Sequence, residues 1–517
     1  MNNNSETSQI KLGLDFGTAY SVPAYKLPEK KDPDILLDEN TRNSFFKGIP
    51  SIFWSDKARN VRVGIDAANG NAEWNDTKGV VRSIKTRLRE KEIKLYDKTY
   101  TPQEIVVEII RHIFDMAYQA MEENDIDIPK EKSIVMGVPV KFGNTERKIL
   151  IEALKELKYD AELLPEPIAA AIYYAHKNPN KFEKTLVFDM GAGTFDTAFL
   201  EKNDNPSARN PYPYRCPDGG FDGNLKAGDA VDEALAEYIK NRLSPKPPKE
   251  LAAALMDKNN VEYRQLLLAA RHIKENMSSQ IILTHNFSLG TYNGISATVT
   301  KEELEKVAAP IINEAVDMCY SVVKKCGMQN EDFSIIMVGG MSNLMMVKEA
   351  LTRKFPHIKE KNIQKKNPTL AVAYGCALYA EQPVVSRRVA FGYAVASYYD
   401  NKSVLSVEIP ADVKLPCVVE SHYATRHQNQ EAVEFRIYEV ENAKEGDHLS
   451  IDRGRYCDEL AVVHPFNRPV PIGTEVTFRI ELTESGILNI SVDDGGIAGK
   501  TTKKSVQVGI VRERNGG

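Results

Sequence analysis

Two short segments place an aspartate at the end of an apolar run, directly before a turn of glycine and threonine. The first is Leu12-Gly-Leu-Asp15-Phe-Gly17-Thr18-Ala19, and the second is Leu186-Val-Phe-Asp189-Met-Gly191-Ala192-Gly193-Thr194-Phe-Asp196. Glycine has no side chain to cover the backbone N–H groups, so such a turn can wrap a phosphate. The aspartate before it cannot usefully touch a phosphate, but it can accept hydrogen bonds from water on a phosphate-bound Mg²⁺. Two such turns facing each other would grip the β- and γ-phosphates from opposite sides. A third glycine turn, Val338-Gly339-Gly340-Met-Ser342-Asn343, also follows an apolar strand and opens a helix near Leu344, where backbone can approach a sugar or an α-phosphate.

Other chemistries lack their residues. There is no G-x-S-x-G elbow, no H-E-x-x-H and no clustered His/Cys set, so hydrolase-triad and zinc readings have no anchor. Gly495-Gly-Ile-Ala-Gly499-Lys500-Thr501 resembles a P-loop. Asp494 stands where that motif needs its first glycine, however, and strand signals flank it, which predicts a hairpin loop. The six cysteines are scattered without a C-x-x-C pair and read as reduced packing residues.

The elements that must hold these turns follow from the pattern of the whole chain. At 517 residues the protein is too long for one core and suggests about three structural units. Lys+Arg 67 against Asp+Glu 72 leaves a net charge of −5, which supplies no general field for nucleic acid or an anionic membrane. Neither is expected as a partner, and any polyanion site must be local. The polar start lacks the plan of a secretory signal, which points to a cytoplasmic protein with a disordered tail over 1–9. Over 10–380, apolar runs ending in Gly or Asp alternate with 3.6-period segments, an α/β pattern. Residues 381–388 read as a linker. Over 389–512, short segments rich in Val, Ile, Tyr and Phe alternate with turn signals, the pattern of an all-β sandwich, and 513–517 form a tail. The two Asp/Gly/Thr segments lie one domain's length apart, so the duplication is architectural.

These residues resemble a known family. The two phosphate turns, Leu164-Pro-Glu166-Pro167-Ile-Ala169, Val338-Gly339-Gly340 and Asn367-Pro368-Thr369 look like the ATPase motifs of DnaK-type heat-shock protein 70 chaperones, in the family's order and spacing. Leu415-Pro416, Asn429-Gln430-Glu-Ala432-Val433-Glu-Phe435 and Gly486-Ile487-Leu488-Asn-Ile490 resemble the same family's peptide-binding domain. The resemblance covers about residues 10–510. It implies an actin-like ATPase of duplicated RNase H-like lobes, followed by a β-sandwich that grips short extended apolar peptides.

The resemblance also implies roles for individual residues. Gly17, Thr18, Ala19, Gly191, Gly193 and Thr194 would form the phosphate turns, with Asp15, Asp189 and Asp196 on Mg²⁺, mostly through water. Lys85 matches the lysine that reaches the γ-phosphate and attacking water, and Glu166 and Asp196 match the acids that order metal, K⁺ and water. Lys85, Glu166, Asp189, Thr194 and Asp15 are thus the catalytic candidates, and the implied cofactors are ATP or ADP, Mg²⁺ and K⁺. Gly228, Lys274, Ser278, Gly339, Gly340 and Asn343 would complete the nucleotide site. Pro139 and Arg147 resemble the switch and relay between ATP and the β-domain. Tyr393, Tyr423, Val433 and Phe435 fall where the family lines its peptide cleft, the two tyrosines being expected to offer their hydroxyls to the peptide backbone.

The chain departs from the family pattern in places. Arg271 stands where the family has an acid, Asn343 where it has an arginine, Thr369 where it has an acid and Ala192 where a third glycine is usual. Arg387-Arg388 replaces the leucine-rich linker, and Glu162 replaces a basic residue at the J-domain cochaperone contact, so that cochaperone and an exchange factor are doubtful partners. The expectation is a short form without the helical lid. Rival readings are a nucleotide sensor with little hydrolysis, an actin-like filament protein and a small-molecule kinase of the same cleft architecture.

Overall fold

The computed structural model describes residues 10–39, 41, 48–58, 60–68, 78–129, 132–179, 183–204, 213–277, 280–381, 391–400, 402–411, 413–457, 461–482, 487–496 and 501–507. The linker pair Arg387-Arg388 and Ser278 lie outside them. The chain divides into two compact units. One takes Met1–Val140, Glu156–Pro206 and Pro213–Val384, and the other takes Lys141–Lys155, Ser207–Tyr212 and Val385–Gly517. The sequence reading keeps 10–380 together, whereas the short Lys141–Lys155 segment groups with the β-rich unit.

The first unit contains two six-stranded mixed sheets built to one plan. In the first sheet, Lys11–Asp15 pairs antiparallel with Tyr20–Lys26 and, on its other side, parallel with Ser133–Val138, which pairs parallel with Asp160–Pro165. In the second, Lys184–Met190 pairs antiparallel with Phe195–Lys202 and parallel with Ser334–Val338, which pairs parallel with Ile363–Lys365. The repeated sequence pattern is therefore a repeated topology, and each Asp/Gly/Thr motif closes the hairpin at the same corner of its sheet. The central strands are apolar throughout, with Leu12, Leu14, Leu186, Val187 and Phe188 fully buried, as strands covered on both faces must be.

Helices cover these sheets, and their ends are encoded locally. Pro102–Glu123 begins with Pro102 at its first turn and a capping box in which Thr101 and Glu104 satisfy each other's backbone N–H. Lys301–Lys325 uses the same device with Thr300 and Glu303. Two helices, Glu166–Lys177 and Ala371–Glu381, cross so closely that a Cβ on Gly375 would lie 1.8 Å from the Ala169 carbonyl oxygen. Gly13 likewise admits the backbone of Ala377, at 2.4 Å from where a Cβ would sit, so the second helix seats directly on the strand that carries Asp15. A large core under the second sheet packs Phe188, Phe195 and Phe199 against helices Gly228–Lys240, Val261–Asn276 and Lys301–Lys325.

The second unit's β part is antiparallel, with a five-stranded sheet, a four-stranded sheet and a two-stranded pair. Strand Glu475–Leu482 alternates strictly, burying Val476, Phe478, Ile480 and Leu482. They meet Tyr393, Val395, Phe435 and Ile437 in one core. The P-loop look-alike joins strands Ile487–Asp493 and Thr502–Gln507, which pair antiparallel, and Asp493 ties the turn by accepting from Gly495 N and Thr501 Oγ1. It is a hairpin, and a phosphate loop would need a helix after it.

Candidate functional site

The two hairpin turns converge. A Cβ on Gly193 would lie 2.5 Å from Thr86 Cγ2 and 2.7 Å from Thr18 Oγ1, so the second turn rests against the first and only glycine fits there. Gly17 is equally constrained, since its Cβ would meet the Tyr20 carbonyl oxygen at 2.0 Å. The second turn is closed by Gly191 N donating to Thr194 O at 3.0 Å. It is braced by the start of the Gly228–Lys240 helix, where Gly228 N donates to Gly191 O and Asp229 N to Ala192 O. Ala192 does not have positive φ, so its methyl replaces hydrogen without backbone strain.

Lys85 sits on a single 3₁₀ turn, Ile84–Thr86. The preceding Ser83 takes a left-handed φ of 53°, which costs a non-glycine residue about 1 kcal/mol, and its Oγ donates to Asp229 Oδ2 at 2.6 Å. That anchor aims Lys85 inward, where it is buried and donates to Glu166 Oε1. Glu166 opens the Glu166–Lys177 helix at the end of strand Asp160–Pro165. Asp196 accepts from Val140 N at 2.7 Å, which ties the chain just after the buried Pro139 to the second hairpin.

A cleft in the first unit is lined by Asp15, Gly17, Thr18 and Ala19 from the first turn, and by Asp189, Gly191 and Thr194 from the second. Lys85, Glu166 and Lys274 also line it, as do Gly339, Gly340 and Asn343 of the third turn. Gly339 has φ +80°, and its backbone lies against Met190 O and Asp189 Oδ1, so the third turn stacks on the second strand end. Three expected site residues do not line the cleft. Gly193 faces the other side of its turn, Asp196 lies behind the wall, and Gly228 acts through its backbone by accepting from Lys274 Nζ at 3.0 Å. Tyr20, Glu275 and Thr369 line it too. Tyr20 and Glu275 adjoin the motif residues Ala19 and Lys274, yet nothing in their own type marked them.

Charge in the cleft is lopsided. Burial first, then Glu166, pushes the Asp15 carboxyl up to about 7 against the pull of Lys85. Asp189 and Asp196 are raised as well, by burial and then by Glu166. Burial pulls the Lys85 pKa down, but Glu166 and Asp15 outweigh it and the net shift is upward. Asp196 Oδ2 has no hydrogen-bond partner among the described residues.

The two departures near Lys274 and the third turn have different fates. Asn343 stays at the cleft and accepts from Lys365 Nζ at 3.2 Å. Arg271 turns out of it, pairing with Asp229 Oδ1 at 2.6 Å and Asp232 Oδ2 at 3.0 Å, while Lys274 holds Asp232 Oδ1 at 2.7 Å.

In the second unit, Tyr393, Val433 and Phe435 are buried in the sandwich core, where Phe435 stacks on Phe478 at 4.6 Å. Tyr423 is half-buried and its hydroxyl donates to Glu408, so it is not open to a ligand backbone as the sequence reading expected. Arg147 Nε donates to Phe142 O at 2.8 Å, and burial lowers its pKa.

A family model described as Hsp70 protein matches residues 80–513, a span that holds Lys85, Glu166, the second and third turns and the whole described sandwich. With most of its length matched, and with paired Asp/Gly/Thr hairpins closing on a buried Lys–Glu pair, the chain belongs to the Hsp70 family.

Proposed function

We propose that this chain is a slow Mg²⁺-dependent ATPase whose nucleotide state sets its affinity for short extended apolar peptide segments. Hsp70 proteins are in general ATP-dependent chaperones, and the cleft supplies the parts that phosphoryl transfer needs. The observation that carries the reading is the meeting of the two turns across Gly193, with the Lys85–Glu166 pair buried beside them.

Four carboxylates, Asp15, Glu166, Asp189 and Asp196, crowd around the buried ammonium of Lys85, and one Asp196 oxygen is orphaned. That surplus of negative charge fits a divalent cation with K⁺ beside it. Among the described residues no group of three His, Cys, Asp or Glu is placed to ligate an ion directly. Asp15 and Asp189, which line the cleft, would therefore hold Mg²⁺ through its water shell, with Asp196 behind the wall acting on that shell only indirectly. When bound, the ion neutralises phosphate charge. Thr18 and Thr194 offer hydroxyl and backbone donors to the phosphates. Lys85 directs its ammonium at the γ-phosphate and the attacking water, and Glu166 fixes Lys85 in place. No strong base is poised to take a proton, so turnover is slow, below about 1 s⁻¹.

Peptide binding is assigned to the β part, where Val433 packs in the core with Tyr393 and Phe435 and Tyr423 is tied to Glu408, so a groove would have to open beside Val433. Fluorescence anisotropy with a labelled Leu-rich heptapeptide tests this reading. Binding is expected to be roughly micromolar with ADP, weaker with ATP, and lost in Val433→Phe. Equal affinity in both nucleotides, or full binding by a folded Val433→Phe protein, refutes it. Asn343 at the purine end favours one second reading, a sensor that binds ATP and scarcely hydrolyses it, because an Asn cannot stack a guanidinium on the base.

A further inference from the structure

Lys85 enters the cleft from a segment that is tied to the support of the second turn. Ser83, two residues before it, donates from Oγ to Asp229 Oδ2 at 2.6 Å, although the two lie 146 residues apart. Asp229 belongs to the first turn of the Gly228–Lys240 helix, and its N–H donates to Ala192 O of the second turn at 2.6 Å. The route from the second turn to Lys85 is therefore a backbone hydrogen bond, a side-chain hydrogen bond and a short step of chain.

Both ends of that route are stiff. The Ser83 carbonyl accepts from Thr86 N at 3.0 Å and from Thr86 Oγ1 at 2.9 Å, so the 3₁₀ turn that carries Lys85 moves with Ser83. On the other side Arg271 donates to Asp229 Oδ1 at 2.6 Å and to Asp232 Oδ2 at 3.0 Å, which fixes the Asp229 carboxylate with Oδ2 on the serine. An acid at position 271 would repel Asp229 where the arginine holds it, so this departure from the family pattern has a structural partner in Ser83. The serine is held rather than relaxed. Its φ of 53° is a left-handed conformation that Gly or Asn adopts more readily, and such strain persists where neighbouring contacts over-determine a residue.

We propose that Ser83 and Asp229 are positioning residues for hydrolysis, whose hydrogen bond couples Lys85 to the second turn, so that the lysine is presented to a γ-phosphate only while that turn is in place. Lys85 then acts on a nucleotide that both turns hold. The effect on rate rests on the ATPase reading. The placement of Lys85 does not.

The test compares single-turnover ATP hydrolysis with Mg²⁺, and equilibrium binding of ADP, in the full-length wild type, Ser83→Ala, Ser83→Gly and Ser83→Asn, each shown to be folded by its melting curve. Losing one hydrogen bond to a carboxylate is expected to slow hydrolysis about 10-fold in Ser83→Ala and Ser83→Gly, with ADP affinity within about threefold of wild type. Glycine relieves the left-handed φ, so its slow rate separates the hydroxyl from the backbone shape. Asparagine tolerates that φ, keeps a donor and has room in a cavity of about 680 Å³ that Ser83 lines, so Ser83→Asn is expected to recover much of the rate. Full rate in Ser83→Ala or Ser83→Gly, or no recovery in Ser83→Asn, overturns the proposal. A second arm needs no hydrolysis. Acetylation of Lys85 by an amine-reactive ester, read by mass spectrometry on the nucleotide-free chain, is expected to be about 10-fold faster in Ser83→Ala than in wild type, with the buried Lys274 unchanged. If the wild type binds ATP without hydrolysing it, the ATPase reading falls and the labelling ratio decides the placement. Equal labelling of Lys85 in the two proteins overturns it.

Discussion

Asp15 shows how one residue records the purpose of the cleft. Its carboxyl titrates near 7 because it is buried beside Glu166, with Lys85 offsetting only part of the cost. The folded protein therefore holds a proton that the unfolded chain, with its aspartate near 3.8, releases. The stabilising contribution is full below about 3.8 and is lost as pH rises through about 7. In the nucleotide-free protein, Asp15→Asn is expected to raise stability at pH 8 by up to about 4 kcal/mol and to flatten the fall between pH 4 and 7. Urea melts across that range check it, and an unchanged pH slope contradicts it. Such a site stores repulsion that a bound cation relieves, the usual mark of a functional carboxylate cluster. Asp15 and Asp189 are legible in the sequence because each ends an apolar run before a glycine turn, whereas Glu166 is legible only through the family resemblance. The partners of Arg271 were not, since a lone charge on a helix carries no address for the carboxylates it meets.

At the scale of elements, glycines decide how closely the helices can approach. The crossing of Glu166–Lys177 with Ala371–Glu381 depends on Gly375, whose missing Cβ leaves room for the Ala169 carbonyl. Gly375→Ala is expected to destabilise the first unit by about 2–3 kcal/mol, the cost of overpacking against backbone, and to shift Glu166 with its helix. Chemical denaturation measures the first effect, and a midpoint within error of wild type would show that the helices can part without penalty. The duplication could be read from the paired motifs, and each apolar run with its Asp/Gly/Thr turn does build the same hairpin in the same kind of sheet, but the strand order could not be read. The β part was legible only as far as its class. Alternation in Gln430–Phe435 and Glu475–Leu482 says that one face is covered without saying by what. Val433 and Phe435 fit a peptide groove or a core equally well as types, and the structure buries both. Tyr423 was expected to offer its hydroxyl to a ligand, but Glu408 on a neighbouring strand accepts it, a pairing that depends on register and has no local sequence signal.

At the scale of the whole molecule, the Hsp70 match and the described cleft support the proposal made above, that the first unit hydrolyses ATP through the Lys85–Glu166 pair between two facing glycine turns. On that proposal Lys85 acts on the γ-phosphate, so its loss should spare binding of ADP, which lacks that group. The most direct measurement is single-turnover hydrolysis of ATP with Mg²⁺ by the wild type and by Lys85→Ala, alongside equilibrium binding of ADP to both. The expected result is hydrolysis below about 1 s⁻¹ in the wild type, none detectable in Lys85→Ala, and ADP affinities within about threefold of each other. Full hydrolysis by the Lys85→Ala protein, or none by a wild type that binds ATP, would contradict the claim.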